Sequence, residues 1–276
     1  MMTSPHWKSW LALAVVALSL LSILAPFVWI VGVSLKYQID ILTGTFPFKP
    51  VAVNFDRVLF GKSSDFIAYA GNSLIVGLSS TALVLLIGAP AAYSLAWRRW
   101  SKLFSALFLG WTLIFHMIPP ITLVGPWYLL FREVGLYNTL TGLILTHVVI
   151  NLPLTIWLMM SAFESIPREL EEAAVVDGCR RSTVFFVILL PLAVPGLIAA
   201  GLLSFLFSWS EFSIALNLTT KETYTIPVAI ASYAGENEIL HGQMAAASVL
   251  STVPALILMF FGQRFILGGL TAGAVK

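Results

Sequence analysis

The sequence predicts an all-α, polytopic membrane protein with six transmembrane helices and both termini in the cytoplasm. Three observations carry this. Apolar residues make up 59% of the 276-residue chain and charged residues 10%, against about 45–50% and 25% in soluble domains. Six stretches reach the roughly 20 mainly apolar residues that a bilayer crossing needs. Lys and Arg are shared unevenly among the connecting loops, which orients the spans. So few charges cannot cover a soluble globule of this size, which excludes an ordinary soluble enzyme and a disordered chain. The single cysteine, Cys179, excludes an intrachain disulfide scaffold. A net charge of +2 offers nucleic acid no basic footprint.

The first span, 10–35, is longer than a signal-peptide h-region and is followed by no A-x-A site, so it reads as a retained anchor. The second, 72–97, contains Gly88 and Pro90. The third, 103–125, is interrupted by Pro119-Pro120, and the fourth, 139–163, holds Pro153. The fifth, 185–209, carries Pro191 and Pro195; the sixth is 244–267. Prolines are tolerated in such spans because neighbouring helices re-satisfy the freed carbonyls. Gly77, Gly88, Ala91 and Ala92 are expected where helices approach closely. Residues 1–276 are read as one transmembrane domain.

With the N-terminus inside, the cytoplasmic segments hold Lys8, Arg98, Arg99, Lys102, Arg168, Arg180, Arg181, Arg264 and Lys276. The longer outer loops hold Lys36, Lys49, Arg57, Lys62, Arg132 and Lys221. The denser positive charge marks the inside. Three hydrophilic segments remain: 36–70 and 217–243 outside, and 164–184 inside.

The inner loop runs from Ser165 to Pro191. Pro167 suits a helix's first turn, with Ser165 as a cap. Glu169, Glu171 and Glu172 fall where the macrodipole favours acids, and Gly178 fits the left-handed position that stops a helix. A helix of about three turns lying along the membrane surface is expected. Leu170, Ala173, Ala174 and Asp177 share a face at helical spacing. An interfacial helix that rests on lipid usually has a basic face and bulky anchors. This one is acidic, then alanine-rich, and so suits a protein partner.

Glu172-Ala173-Ala174, Gly178, Ile188 and Leu190-Pro191 resemble, in residue and spacing, the EAA motif of ABC-importer permeases. Ser208-Trp209-Ser210-Glu211-Phe212 with Ala215-Leu216-Asn217-Leu218-Thr219 resembles the fifth-span signature of the carbohydrate-uptake branch, although many relatives have Asn where Ser210 stands. Met117-Ile118-Pro119-Pro120 and the tail 268–276 are similar to the same group, of its smaller, six-span kind. The resemblance implies a type I ABC-importer permease fold in a bacterial cytoplasmic (inner) membrane. It implies a second permease subunit, two ATPase subunits, an extracytoplasmic sugar-binding protein and a sugar or polyol substrate. Glu172, Ala173, Ala174, Asp177, Gly178, Ile188, Leu190 and Pro191 would form the coupling segment gripped by the ATPase, with Glu172 pairing to a basic residue there. No cofactor is expected in this chain, ATP and Mg being held by the ATPase.

The residues agree with that division of labour. No G-x-x-x-x-G-K-[ST] loop is present: Gly61-Lys62-Ser63 has the tail of one, but Asp56 stands at its first glycine. No zinc-protease motif or nucleophile elbow occurs either, so the chain is read as a non-enzyme. Polar residues within spans face a bundle interior or a cavity. Asn72, His116 and Asn151 are candidates for the substrate path, with interhelical hydrogen bonding as the alternative. Ser73 and His147 are assigned to interhelical hydrogen bonds. Trp209 and Glu211 suit sugar contact or an outer gate. The 217–243 loop has the length and polarity to reach into a binding protein. An ion-coupled secondary transporter is the second reading, but such proteins carry intramembrane acids, and no Asp or Glu lies well inside a span.

Overall fold

The protein is described by a computed structural model covering residues 6–62, 64–98, 100–235 and 238–272. Ser63, Arg99, Glu236, Asn237 and the last four residues of the tail motif, 273–276, lie outside the described residues. Helix α1 (His6–Ser34) leads through α2 (Gln38–Leu42) and α3 (Val53–Phe60) to α4 (Phe66–Trp97). Then come α5 (Lys102–Met117), α6 (Pro120–Glu133), α7 (Leu140–Glu164) and the short α8 (Glu169–Val176). A single turn, α9 (Arg181–Thr183), continues as a π-helical segment, Val184–Leu189, into α10 (Leu190–Leu192) and α11 (Val194–Ser210). The short α12 (Ser213–Leu218) and α13 (Ile226–Ser232) precede α14 (His241–Ala272). Among the described residues no strand occurs, only an isolated bridge between Ala234 and Ile239.

Among the described residues four helices are long and apolar enough to cross a bilayer: Trp10–Ser34, Phe66–Trp97, Leu140–Glu164 and His241–Phe265. Two bent pairs add one span each if each pair is counted as one, which brings the number to six. The expected single span 103–125 is instead two helices meeting at 93°, the second running on to Glu133. Ile118 precedes a proline and is forced out of the helical region, to φ −70° and ψ 122°. Pro119 is also extended, at ψ 129°, and Pro120 takes the first helical position of α6, where its missing N–H costs nothing. The expected span 185–209 likewise breaks by 75° between Leu192 and Val194, beside Pro191 and Pro195. Helix α4 starts at Phe66, before the expected residue 72.

The chain divides into two compact units. The first comprises Met1–Ile67 and Ala229–Val253. Its first helix exposes Leu, Val, Ile and Trp side chains all round, the surface that lipid solvates. Its turn after α1 is built on buried Asn54, whose Nδ2 donates to the carbonyls of Ser34 (2.9 Å) and Lys36 (2.8 Å).

The second unit comprises Ala68–Val228 and Pro254–Lys276. Its core has two apolar clusters at opposite ends of α4. One gathers Tyr93 with Met159, Phe163, Val184, Phe185 and Leu189. The other gathers Val76 with Phe131, Leu143, Ile214 and Leu218. Helices approach closely in between: a Cβ on Gly77 would sit 2.9 Å from the Phe205 ring, and one on Gly88 3.1 Å from Thr155 Cγ2. That is the packing expected of these glycines.

Candidate functional site

Two regions of the second unit hold the residues singled out by sequence. The first is the segment after α7. Helix α7 ends on Ser165, whose Oγ donates to the Ala162 carbonyl. Ser165 therefore closes α7 and does not cap the next helix. Helix α8 accordingly begins only at Glu169 and has eight residues, about two turns where three were expected. Glu169, Glu171 and Glu172 occupy its first turn. It stops in a Schellman arrangement: Gly178 N–H donates to the Val175 carbonyl and Cys179 N–H to the Ala174 carbonyl, both at 3.0 Å. Gly178 has φ +82°, the left-handed conformation that glycine adopts freely. Cys179 packs on the Tyr93 cluster, of which buried Ala174 is a member.

One side of α8 is fastened to the bundle. Tyr93 Oη donates to Glu171 Oε1 at 2.7 Å, and Arg168 Nη2 donates to the Ala96 carbonyl at 3.1 Å. Trp97 Nε1 donates to the Phe163 carbonyl at 3.0 Å, joining α4 to the end of α7. The other side is exposed and presents Glu172, Ala173, Val175, Val176 and Asp177. Val176 is 86% exposed. Ala174, placed on the outward face by periodicity, points inward. Ile188 and Leu190 pack against the Tyr93 cluster, and Pro191 lies exposed in α10.

The second region is a cavity of about 220 Å³ between α7, α11 and the α5–α6 break. Its apolar lining includes Phe115, Ile118, Leu123 and Phe207; its polar lining is His116, His147, Asn151, Ser208 and Glu211. Three of the five path candidates, His116, Asn151 and Glu211, meet here. Asn72 does not: its Nδ2 donates to the Tyr224 carbonyl at 3.0 Å and so holds the loop after α12. Neither does Trp209, which is buried and stacked on Phe205 at 5.6 Å. Ser73 Oγ accepts from Ile226 N–H at 2.8 Å, a link between segments as expected.

Glu211 has a local task as well. Its carboxylate accepts from the N–H groups of Ile214 and Ala215, at 2.9–3.1 Å, and closes the start of α12. His147 Nδ1 lies 2.5 Å from Ser208 Oγ, and Ser208 Oγ lies 3.1 Å from Ser80 Oγ, a polar seam through α7, α11 and α4. Sequence reasoning left Ser208 out of the polar lining. Part of the signal was available: His147 and Asn151 are four apart on α7 and share a face, and Ser208 lies in the last turn of α11, just before Glu211.

The likeness to known proteins agrees with this architecture. Residues 66–268 match the family model for the binding-protein-dependent transport system inner membrane component. The chain is 38% identical to the trehalose transport system permease protein SugB of Mycobacterium tuberculosis, over 92% of each chain. It is 36% identical to the sulfoquinovosyl glycerol transport system permease protein SmoH of Agrobacterium fabrum, over 99% of this chain and 98% of that one. Its fold is similar to a solved bacterial ABC transporter involved in the import of the acidic polysaccharide alginate. The TM-score is 0.78 at 22% identity, covering 96% of this chain and 99% of that one. With a family match spanning most of its length, relatives above one-third identity and this helical architecture, the chain belongs to the binding-protein-dependent inner membrane components, the permease subunits of ABC transporters.

Proposed function

We propose that this chain is the six-span permease subunit of a sugar importer, moving its substrate by alternating access while a separate ATPase burns ATP. Both termini lie in the cytoplasm, and the membrane is a bacterial cytoplasmic one. The assembly has a second permease subunit, two ATPase subunits that hold ATP and Mg, and an extracytoplasmic binding protein. The substrate class follows the trehalose and sulfoquinovosyl glycerol named for the relatives.

The observation that carries this reading is the two-sidedness of α8. One side is tied to α4 through Glu171 and Arg168, and the other offers Glu172, Ala173, Val175 and Val176 outward. A helix held on one side only works as a lever: a partner that grips the free side displaces the ends of α4 and α7 with it. Small Ala173 permits close approach, Val175 and Val176 supply apolar area, and Glu172 suits a basic residue. Substrate passes the cavity lined by His116, Asn151 and Glu211, while Asn72 and Trp209 brace its surroundings.

Co-purification tests the assembly. The tagged chain should bring down an ATPase and a second permease. ATP hydrolysis by the complex should rise when the binding protein is added with its sugar. Uptake that persists after the ATPase gene is removed would favour an ion-coupled transporter instead.

A further inference from the structure

The cavity lining includes a fully buried polar atom that the fold does not use. His147 is 2% exposed, and its Nε2 has no hydrogen-bond partner among the described residues. The ring is not free to turn away, because Nδ1 is held by Ser208, which is itself braced by Ser80. Burying an imidazole nitrogen without a partner is unfavourable, and unsatisfied groups of this kind accompany functional sites. Nε2 stands 3.8 Å from Glu211 Oε2. That is too far for a direct hydrogen bond, but the separation lets a single oxygen about 2.8 Å from each atom bridge the two once a substrate opens the cavity wall.

The chemistry of the pair selects a hydroxyl. With the proton on Nε2, a hydroxyl oxygen accepts from it and donates its own proton to the carboxylate. That tautomer follows when Ser208 Oγ donates to Nδ1, which leaves the ring proton on Nε2. In the Nε2-protonated form an ammonium group has no lone pair for that proton and an anion meets the Glu211 carboxylate, so among small polar groups the hydroxyl is the one that serves both atoms. The lining of the same cavity includes two aromatic rings, Phe115 and Phe207, which suit the C–H face of a sugar ring. We propose that His147, oriented by Ser208, is a specificity-determining residue that reads one hydroxyl of a sugar in transit. This rests on the sugar-importer reading above and assigns it a contact atom.

The test is uptake by cells carrying the complete importer, with wild-type, His147→Ala and His147→Asn chains. The probes are radiolabelled trehalose, maltose and a glucosyl glycerol, together with their monodeoxy derivatives. The binding protein is the same in every strain, so a change in ranking between alleles arises in the permease. The wild type should take up one deoxy derivative about tenfold less well than its parent relative to His147→Ala, the weight of one lost hydrogen bond in a site built for it. His147→Asn, which keeps a donor and an acceptor, should retain part of that discrimination, and it serves as the test if the alanine chain does not reach the membrane. An unchanged ranking, or an equal loss for every probe at normal protein level, overturns the proposal and leaves His147 a packing residue. No uptake of any probe by the wild type overturns the sugar reading itself and this inference with it.

Discussion

Tyr93 Oη donates a 2.7 Å hydrogen bond to Glu171 Oε1, so the acidic first turn of α8 is fastened to the last turns of α4. The phenol is itself wedged among Trp97, Phe163 and Phe185, with ring centroids 5.1–6.0 Å away. A pull on α8 therefore reaches three spans through one aromatic cluster. Tyr93→Phe keeps the ring and removes only the hydroxyl. Protein level and complex assembly should stay normal. Uptake per ATP hydrolysed should fall about tenfold, the weight of a charge-assisted hydrogen bond at the lower end of about 1.5–3 kcal/mol. Parallel uptake and phosphate-release measurements on reconstituted complex check this; an unchanged ratio means the aromatic packing alone transmits the motion.

Gly178 tests the other end of the same helix. A Cβ there meets nothing within 4 Å, so any effect of substitution comes from the backbone at φ +82°. Gly178→Ala should cost about 1 kcal/mol through the left-handed conformation and shift the Schellman stop, lowering uptake without loss of assembly. Gly178→Asn should do less harm, because Asn enters that conformation more readily. The two variants are compared by uptake and by ATPase activity; equal uptake by Gly178→Ala and wild type refutes the role.

These two positions also show how far the amino-acid pattern carries. Gly178 was legible because a glycine after an apolar-acidic run has one common use. The length of α8 was not, because Ser165 suits two neighbouring helix ends and only packing decides that it closes α7. The Pro119-Pro120 break was legible from local backbone restriction, whereas its 93° angle depends on what α5 and α6 pack against. His116, Asn151 and Glu211 were each recognisable as polar groups in apolar surroundings. Their meeting in one cavity was not, because it depends on contacts between helices far apart in sequence. Glu211 was read for its charge alone; its grip on the N–H groups of Ile214 and Ala215 appears only once α12 is seen to start two residues later.

Tyr233, outside the spans, predicts a response to alkali. Burial pushes its phenol pKa above the ordinary value, with the hydrogen bond to Ser64 opposing in part. The neutral form is thus favoured in the folded chain. Its contribution is complete below about pH 10, the pKa of an unfolded tyrosine, and is lost as pH rises through the higher folded value. Thermal stability of purified protein should drop as pH rises above about 10 in the wild type. Tyr233→Phe, which has no proton to lose there, should show a shallower drop over the same rise.

Gly77 and Phe205 set the separation of α4 and α11 next to the polar seam. An added Cβ at 2.9 Å from the ring forces the phenylalanine or the helix to move. Overpacking of this kind costs about 1–3 kcal/mol, so Gly77→Ala should lower the unfolding temperature in detergent by several degrees. The ring is also stacked on Trp209 at 5.6 Å and cannot swing aside without breaking that pair. Phe205→Leu removes the offending ring atoms, and the double variant should regain part of the loss. A rescue of that sign, read as a coupling term in a double-mutant cycle, places the clash at this contact. Strictly additive effects would instead mean that Gly77 acts through helix propensity alone, about 0.8–1.0 kcal/mol in favour of Ala, and the single variant should then be stabilised.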